Sequence, residues 1–250
     1  MKILVFALAL YFSSFVNASI TIEGTVTDKN GNPVSKCDVF INEQRWTADH
    51  SYHAKCDSEG RYEIEIEEGH YNSIYICDEE KYGKTALEFW GWNLDLYESQ
   101  TINATFDTLE VYSLATWASN GGSSSLFASF RPMSLSQPEF RNELVDGNKL
   151  AVLDVTPNIN SSSILGSIDG DELVLLNLNW ALERIDSCSG FPDDIDTANG
   201  CYMPMIVAQF RKPDFDEGLH TLKIRIVDSI TGSIGEGITH FNSNRMGFGF

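Results

Sequence analysis

Between Ile22 and Tyr75 apolar and polar side chains alternate with a period of two, and turn-forming residues interrupt that alternation at short intervals. Tyr62, Ile64 and Ile66 alternate with Glu63, Glu65 and Glu67, while Cys37, Val39 and Ile41 share one parity of an earlier run. A period of two places the apolar set on one face of an extended strand and the carboxylates in water, which a helix of about 3.6 residues per turn does not do. The separators are Asp28-Lys29-Asn30-Gly31-Asn32-Pro33 and Asp57-Ser58-Glu59-Gly60. In the first of these Gly31 accepts a positive φ and Pro33 fixes its own, so the chain must reverse there. The stretch predicts strands joined by tight turns, with one face buried.

Gly24-Thr25-Val26, Asn30-Gly31-Asn32-Pro33-Val34, Asp57-Ser58-Glu59-Gly60-Arg61-Tyr62 and Gly69-His70-Tyr71 follow one another in this order. Together they resemble the carboxypeptidase regulatory-like domain, a small transthyretin-like β-sandwich. The likeness covers roughly the first third of the mature chain. It implies a fold and an accessory role, and it brings no catalytic residues with it.

At the amino terminus Lys2, the apolar run Ile3 to Val16 and then Asn17-Ala18 predict a signal peptide over residues 1–18, with the mature chain starting at Ser19. The run is short for a membrane span, which takes about 20 apolar residues, and no later segment approaches that length. No cysteine stands at the cleavage point to take a lipid. A soluble protein, secreted or periplasmic, is the expectation. The formal charge of −19 excludes nucleic acid and anionic membrane surfaces as expected partners, because both require a cationic face.

Ile102, Ala104 and Phe106 read as the last strand of a first domain, 19–107. Beyond it, Leu109 to Ala118 and Ser125 to Met133 flank Ser119-Asn120-Gly121-Gly122-Ser123-Ser124, a hairpin signal. Further strands are expected at Lys149 to Thr156, Glu172 to Arg184, Tyr202 to Arg211, Leu219 to Asp228 and Ile234 to Phe241. Glu172 to Arg184 is rich in Leu, but Val174, Leu176, Leu178, Trp180 and Leu182 alternate, and Asn177 and Asn179 disfavour a helix interior. The fold class read from this pattern is all-β, two tandem antiparallel β-sandwiches, the second (108–250) loosely immunoglobulin-like.

Five cysteines in an exported chain predict disulfides and one odd thiol. Cys188 and Cys201 bracket a Gly-, Pro- and Asp-rich loop, and joining them would remove about 3 kcal/mol of loop entropy from the unfolded state. Cys37, Cys56 and Cys77 allow three pairings. The transthyretin-like resemblance puts Cys37 and Cys77 on neighbouring strands, which implies that they pair and that Cys56 stays free.

Three clusters carry candidate chemistry. His50, His53, Cys56 and His70 are soft-metal ligand types on what looks like an irregular insertion, where surface histidines are the plainer account. Asp193, Asp194 and Asp196, with Asp169, Asp171 and Glu172, are the oxygen ligands calcium takes, although no EF-hand loop is completed. No cofactor is expected, calcium at the acidic loop being the one candidate. Trp90 and Trp92 lie two residues apart and share a parity with Leu94 and Leu96; displayed together they would form a platform for a sugar ring, with Asn93 and Asp95 beside it for hydroxyls. Large aromatics more often fill a core or a contact between domains, so at least one of the pair is expected to be buried.

The chain has no Gly-x-Ser-x-Gly elbow and no His-Glu-x-x-His, and it ends Met246-Gly247-Phe248-Gly249-Phe250, unlike the Tyr-Arg-Gly-Ser tail of the transthyretin-like purine-catabolic hydrolases. The expected function is therefore an exported, non-catalytic binding or adhesion protein for a glycan or surface protein. A structural accessory of the cell envelope and a hydrolase using dispersed carboxylates are the two alternatives.

Overall fold

The computed structural model describes residues 19–44, 50–119 and 124–244. The expected leader (1–18), the tip of the expected hairpin (120–123) and the carboxy-terminal 245–250 lie outside the described residues, as do 45–49. Among the described residues the chain forms no α-helix. The first half comprises β1 (Ser19–Asp28), β2 (Cys37–Asn42), β3 (Tyr52–Lys55), β4 (Arg61–Glu67), β5 (Gly69–Asp78), β6 (Phe89–Leu96), β7 (Gln100–Thr101) and β8 (Ala104–Phe106). The second begins with β9 (Leu109–Ala118), β10 (Ser125–Ser134), β11 (Glu139–Val145) and β12 (Asn148–Asp154). It continues through β13 (Ile164–Ile168), β14 (Asp171–Glu172), β15 (Leu175–Ile185), β16 (Cys201–Arg211), β17 (Leu219–Val227) and β18 (Ile234–Asn242). A short 3-10 turn, Ser161–Ser163, precedes β13 and is capped by the side chain of Asn160.

The alternation that marks β4 is matched by β1. Ile20 stands opposite Ile66, Ile22 opposite Ile64 and Gly24 opposite Tyr62, so the apolar side chains of both strands enter one core while Glu63, Glu65 and Glu67 face outward. A Cβ at Gly24 would collide with the carbonyl oxygen of Ile102, the same oxygen that accepts a 2.7 Å hydrogen bond from the Tyr62 hydroxyl.

The other wall of that core is an eight-stranded sheet in the order β14-β13-β17-β18-β6-β5-β2-β3. Its strands come from both halves of the chain, because β18 pairs in parallel with β6, Gly237 opposite Trp90 and Thr239 opposite Trp92. Ile238 of β18 joins Ile74, Ile76 and Phe89 in the first core. On the opposite face Gly235 and Gly237 let β9 lie against the strand: a Cβ at Gly235 would stand 2.7 Å from the Leu109 carbonyl carbon, and one at Gly237 would stand 3.0 Å from Val111. There the second core forms, with Leu222, Ile224 and Ile226 of β17 packed against Leu126, Phe130, Ile206 and Phe210 of the sheet that contains β9, β10 and β16. Each such side chain contributes about 1.5–3 kcal/mol on burial. The fold is thus two sandwiches that share a central sheet, covered on one face by β1 and β4 and on the other by β9, β10 and β16.

The disulfides correct one expectation. Cys188 is joined to Cys201, and Cys37 is joined to Cys56, with Cα atoms 5.2 Å apart, and not to Cys77. β2 and β5 are indeed neighbours, but the register sets Cys37 opposite Asp78 and Asp38 opposite Cys77. A shift of one residue turns a side chain to the other face. Cys37 therefore points into the first core beside Cys56, whereas Cys77 is a free, buried thiol on the far face, pushed up to about 12 by burial and by Glu88.

Candidate functional site

The register of the central sheet stacks aromatic rings in a row. His53 of β3 stands opposite Phe40 of β2, Phe40 opposite Tyr75 of β5, and Tyr75 opposite Trp90 of β6. Directly opposite residues share a face, and successive rings lie 4.6, 4.6 and 4.9 Å apart at interplanar angles of 5°, 19° and 28°. Trp92 extends the row, stacked on Trp90 at 4.7 Å and 12°. Tyr112 of β9 meets both indoles edge-on at 5.3 and 5.1 Å, and the Arg131 guanidinium lies 4.5 Å over Tyr112 while pairing with Glu183 at 2.9 Å.

This arrangement decides what the tryptophan pair can do. Trp90 is buried, 3% exposed, with one face on Tyr75 and the other on Trp92. It offers no face to a ligand. Trp92 is half-buried and lines a cavity of about 290 Å³ with Asn72, Asn93, Tyr112, Ser113 and Glu183. Two of the residues that line this cavity hold buried polar atoms, Trp92 Nε1 and Asn72 Oδ1, with no hydrogen-bond partner among the described residues.

Backbone strain gathers at the same place. Asn93 and Ser113 both hold positive φ, 52° and 58°, in the middle of strands, and both line the cavity. At Ser113 β9 carries an extra residue against β10, a bulge seen as the register shift between Ser129 and Arg131. At Asn93 the effect is larger. Trp90 and Trp92 lie on the second-core side of the sheet, yet Leu94 and Leu96, which share their parity, enter the first core. The left-handed residue reverses the faces of β6, and β5 reverses at the same level, since Tyr71 joins the first core together with Ile74 and Ile76. The shared parity expected of Trp90, Trp92, Leu94 and Leu96 therefore does not make a shared face.

Of the expected binding residues, Trp90, Trp92 and Asn93 come together and Asp95 does not. The Asp95 carboxylate lies 2.9 Å from His70 Nδ1, away from the cavity, and its backbone N and O are each 3.2 Å from Nδ1 of His240, a ring whose pKa burial lowers. The acidic residues named for calcium do not come together. Asp193, Asp194 and Asp196 sit in an exposed loop, with Asp196 tied through its backbone N–H to Asn142 Oδ1 at 3.1 Å. Asp169 is taken up by His220 and the Thr221 N–H. Among the described residues no three His, Cys, Asp or Glu side chains converge on a metal position. The soft ligands disperse in the same way: His50 meets Asn42, His53 meets Asp38, and Cys56 is in its disulfide.

Sequence reasoning missed a second, larger hollow of about 600 Å³ on the sheet formed by β11, β12, β15 and β16. Trp180, Leu182, Pro204, Leu150 and Tyr202 floor it, and Arg141 at its rim is already bound to Asp154 at 2.7 Å. That hollow offers shape, whereas the Trp92 cavity offers unmet hydrogen bonds. The alternation of β15 is the available signal, and it predicts a strand without reporting what covers its faces.

No family model and no curated protein matches the chain. Among solved structures it is similar to a candidate carbohydrate-binding protein from Bacteroides uniformis, at 10% identity, 89% of this chain and 98% of that one, TM-score 0.28. It is also similar to a DUF3823 family protein from Parabacteroides merdae (8% identity, 89% and 98% covered, TM-score 0.26). A third is the major pilin subunit of Bacillus cereus (12% identity, 90% and 69% covered, TM-score 0.25). No helix among the described residues is long and apolar enough to cross a membrane.

Proposed function

We propose that the chain is an exported, non-catalytic binding protein that takes a hydroxyl-rich ligand, a glycan, in the cavity beside Trp92. One observation carries this. Two residues that line one cavity each hold a buried polar atom with no partner among the described residues, the donor Trp92 Nε1–H and the acceptor Asn72 Oδ1. An unpaired buried polar group costs about 1–3 kcal/mol, and a hydroxyl, which both donates and accepts, relieves either of them. The exposed edge of the Trp92 indole and the Tyr112 ring supply the apolar walls that a sugar's C–H surface needs.

Export is supported by the apolar leader and by two disulfides, which persist in oxidising compartments. The carboxypeptidase regulatory-like likeness of residues 19–107 supports an accessory role for that half. The hydrolase alternative finds its best carboxylates in Glu88 and Glu110, but these hydrogen-bond to each other in the interior, and neither lines the Trp92 cavity.

The test is Trp92→Phe, which keeps an aromatic ring and removes the N–H. Neutral mono- and oligosaccharides titrated against intrinsic fluorescence should bind the wild type and bind the variant about tenfold more weakly, the loss of one hydrogen bond, with the thermal midpoint nearly unmoved. Equal affinity in the two proteins, or no saccharide binding by the wild type, would reject the site.

A further inference from the structure

The sheet edges of this molecule are unequally protected. An unpaired edge presents a row of N–H and C=O groups to any other strand, and stable monomers blunt such edges with charge, brevity or bulges. β4 carries Arg61, Glu63, Glu65 and Glu67, and β11 carries Glu139, Arg141 and Glu143. β3 and β14 are short, and β9 is broken by the Ser113 bulge. β15 has none of these devices along its middle. It spans Leu175–Ile185, and among the described residues only β16 pairs with it. From Asn177 to Leu182 it contains no charge and no proline, and its single register shift lies before Asn177.

The side chains there are displayed as well. Trp180 is 46% exposed and Leu176 48%, with Val174 just before the strand at 51%. Trp180 stands opposite Ile206 and Leu182 opposite Pro204, so the even-numbered residues of β15 from Leu178 onward lie on the core-facing side of the sheet, with Trp180 and Leu182 at the hollow on that sheet.

We infer that β15 is a strand-pairing surface for a second copy of this chain, the two β15 strands running antiparallel about a two-fold axis through Trp180. The sequence of the strand selects this occupant, because it is complementary to itself. An axis at Trp180 uses all of Leu175–Ile185 and sets Trp180 against its mate and Leu178 against Leu182, while Glu183 faces Asn177 and Arg184 faces Leu176. From Asn177 to Glu183, where no register shift intervenes, every pair keeps its face, since the opposed numbers share parity, and no like charges oppose each other. A second copy of a chain with net charge −19 is repelled at most of its surface, and β15, with one Glu and one Arg, is neutral. The pairing is an isologous interface and does not depend on the Trp92 cavity.

Charge placed on the axis tests it. Sedimentation equilibrium of the mature chain should show a monomer–dimer equilibrium. Trp180→Lys and Trp180→Glu should each weaken it by about a hundredfold, because a residue on the axis opposes its own copy. Mixed in equal amounts, the two variants should regain dimer as a heterodimer, a result that misfolding does not give. A wild type that stays monomeric at hundreds of micromolar, including one that pairs β15 with some other extended peptide, overturns the inference. Dimers that survive both substitutions, or a mixture that fails to re-associate, overturn it equally.

Discussion

β6 and β15 look alike in sequence and lead opposite lives. Each is an alternating apolar strand with Trp at its centre, and each has Asn beside the tryptophan. β6 is paired on both edges, by β5 and β18, and has the Tyr112 ring of β9 against its tryptophans. β15 is paired on one edge, and the central sheet stops short of its second half. Periodicity reports that a strand has an apolar face; it does not report what lies across from that face, which is set by segments far away in the chain.

The largest effect expected from this comparison follows from cutting the chain between Asp107 and Thr108. A fragment of residues 19–107 would leave β6 without β18, strip Ile238 from the first core, and expose Trp90 where Tyr112 and β9 had covered it. The fragment should lose cooperative unfolding as followed by near-ultraviolet circular dichroism and urea titration. A sharp transition close to that of the whole chain would show that the first sandwich needs no contribution from the second.

Single truncations come next in size. Trp90→Ala removes a ring stacked on both faces in the interior and should cost about 3–5 kcal/mol in urea unfolding. Trp180→Ala, measured at dilutions where the chain is monomeric, should stay within about 0.5 kcal/mol, as surface changes do. Similar costs for the two would erase the contrast between the strands.

The smallest effect lies where the two sandwiches meet. Glu110 of β9 is buried against Gly235 of β18, and burial, reinforced by its hydrogen bond with Glu88, raises its carboxyl well above the ordinary 4.5. The folded protein therefore keeps a proton that the unfolded chain releases. Stability from this source is complete below the unfolded value and declines as pH rises through the folded one. Glu110→Gln retains a neutral, hydrogen-bonding side chain, so it should flatten the fall in stability as pH rises above the ordinary carboxyl value and raise stability at the alkaline end. An unchanged pH profile would mean that Glu110 is ionised in place.

Much of the strand inventory was legible in the residues. Leu109–Ala118 is β9 to the residue, and Tyr202 to Arg211, Leu219 to Asp228 and Ile234 to Phe241 lie within one residue of β16, β17 and β18. Glu139–Val145 and Ile164–Ile168 passed unnoticed, because Arg141-Asn142 and Gly166 interrupt their apolar patterns. Around the proposed cavity, Trp90, Trp92 and Asn93 are legible by their spacing. Asn72, Tyr112, Ser113 and Glu183 were not, since they arrive from β5, β9 and β15 through pairing that no local pattern encodes.

The sequence by itself determined the class: alternation sets one face of each strand apart from the other, and Asp-, Asn- and Gly-rich separators force reversals. Tertiary structure alone decided three further matters. Register placed Cys37 beside Cys56 and turned Cys77 away, because one residue of offset exchanges the faces of a strand. The left-handed Asn93 reversed β6 in mid-course and separated Trp92 from Leu94. The pairing of β18 with β6, allowed by glycines at 235 and 237 that admit the backbone of β9, buried Trp90 and half-buried Trp92, a choice made by strands more than a hundred residues apart.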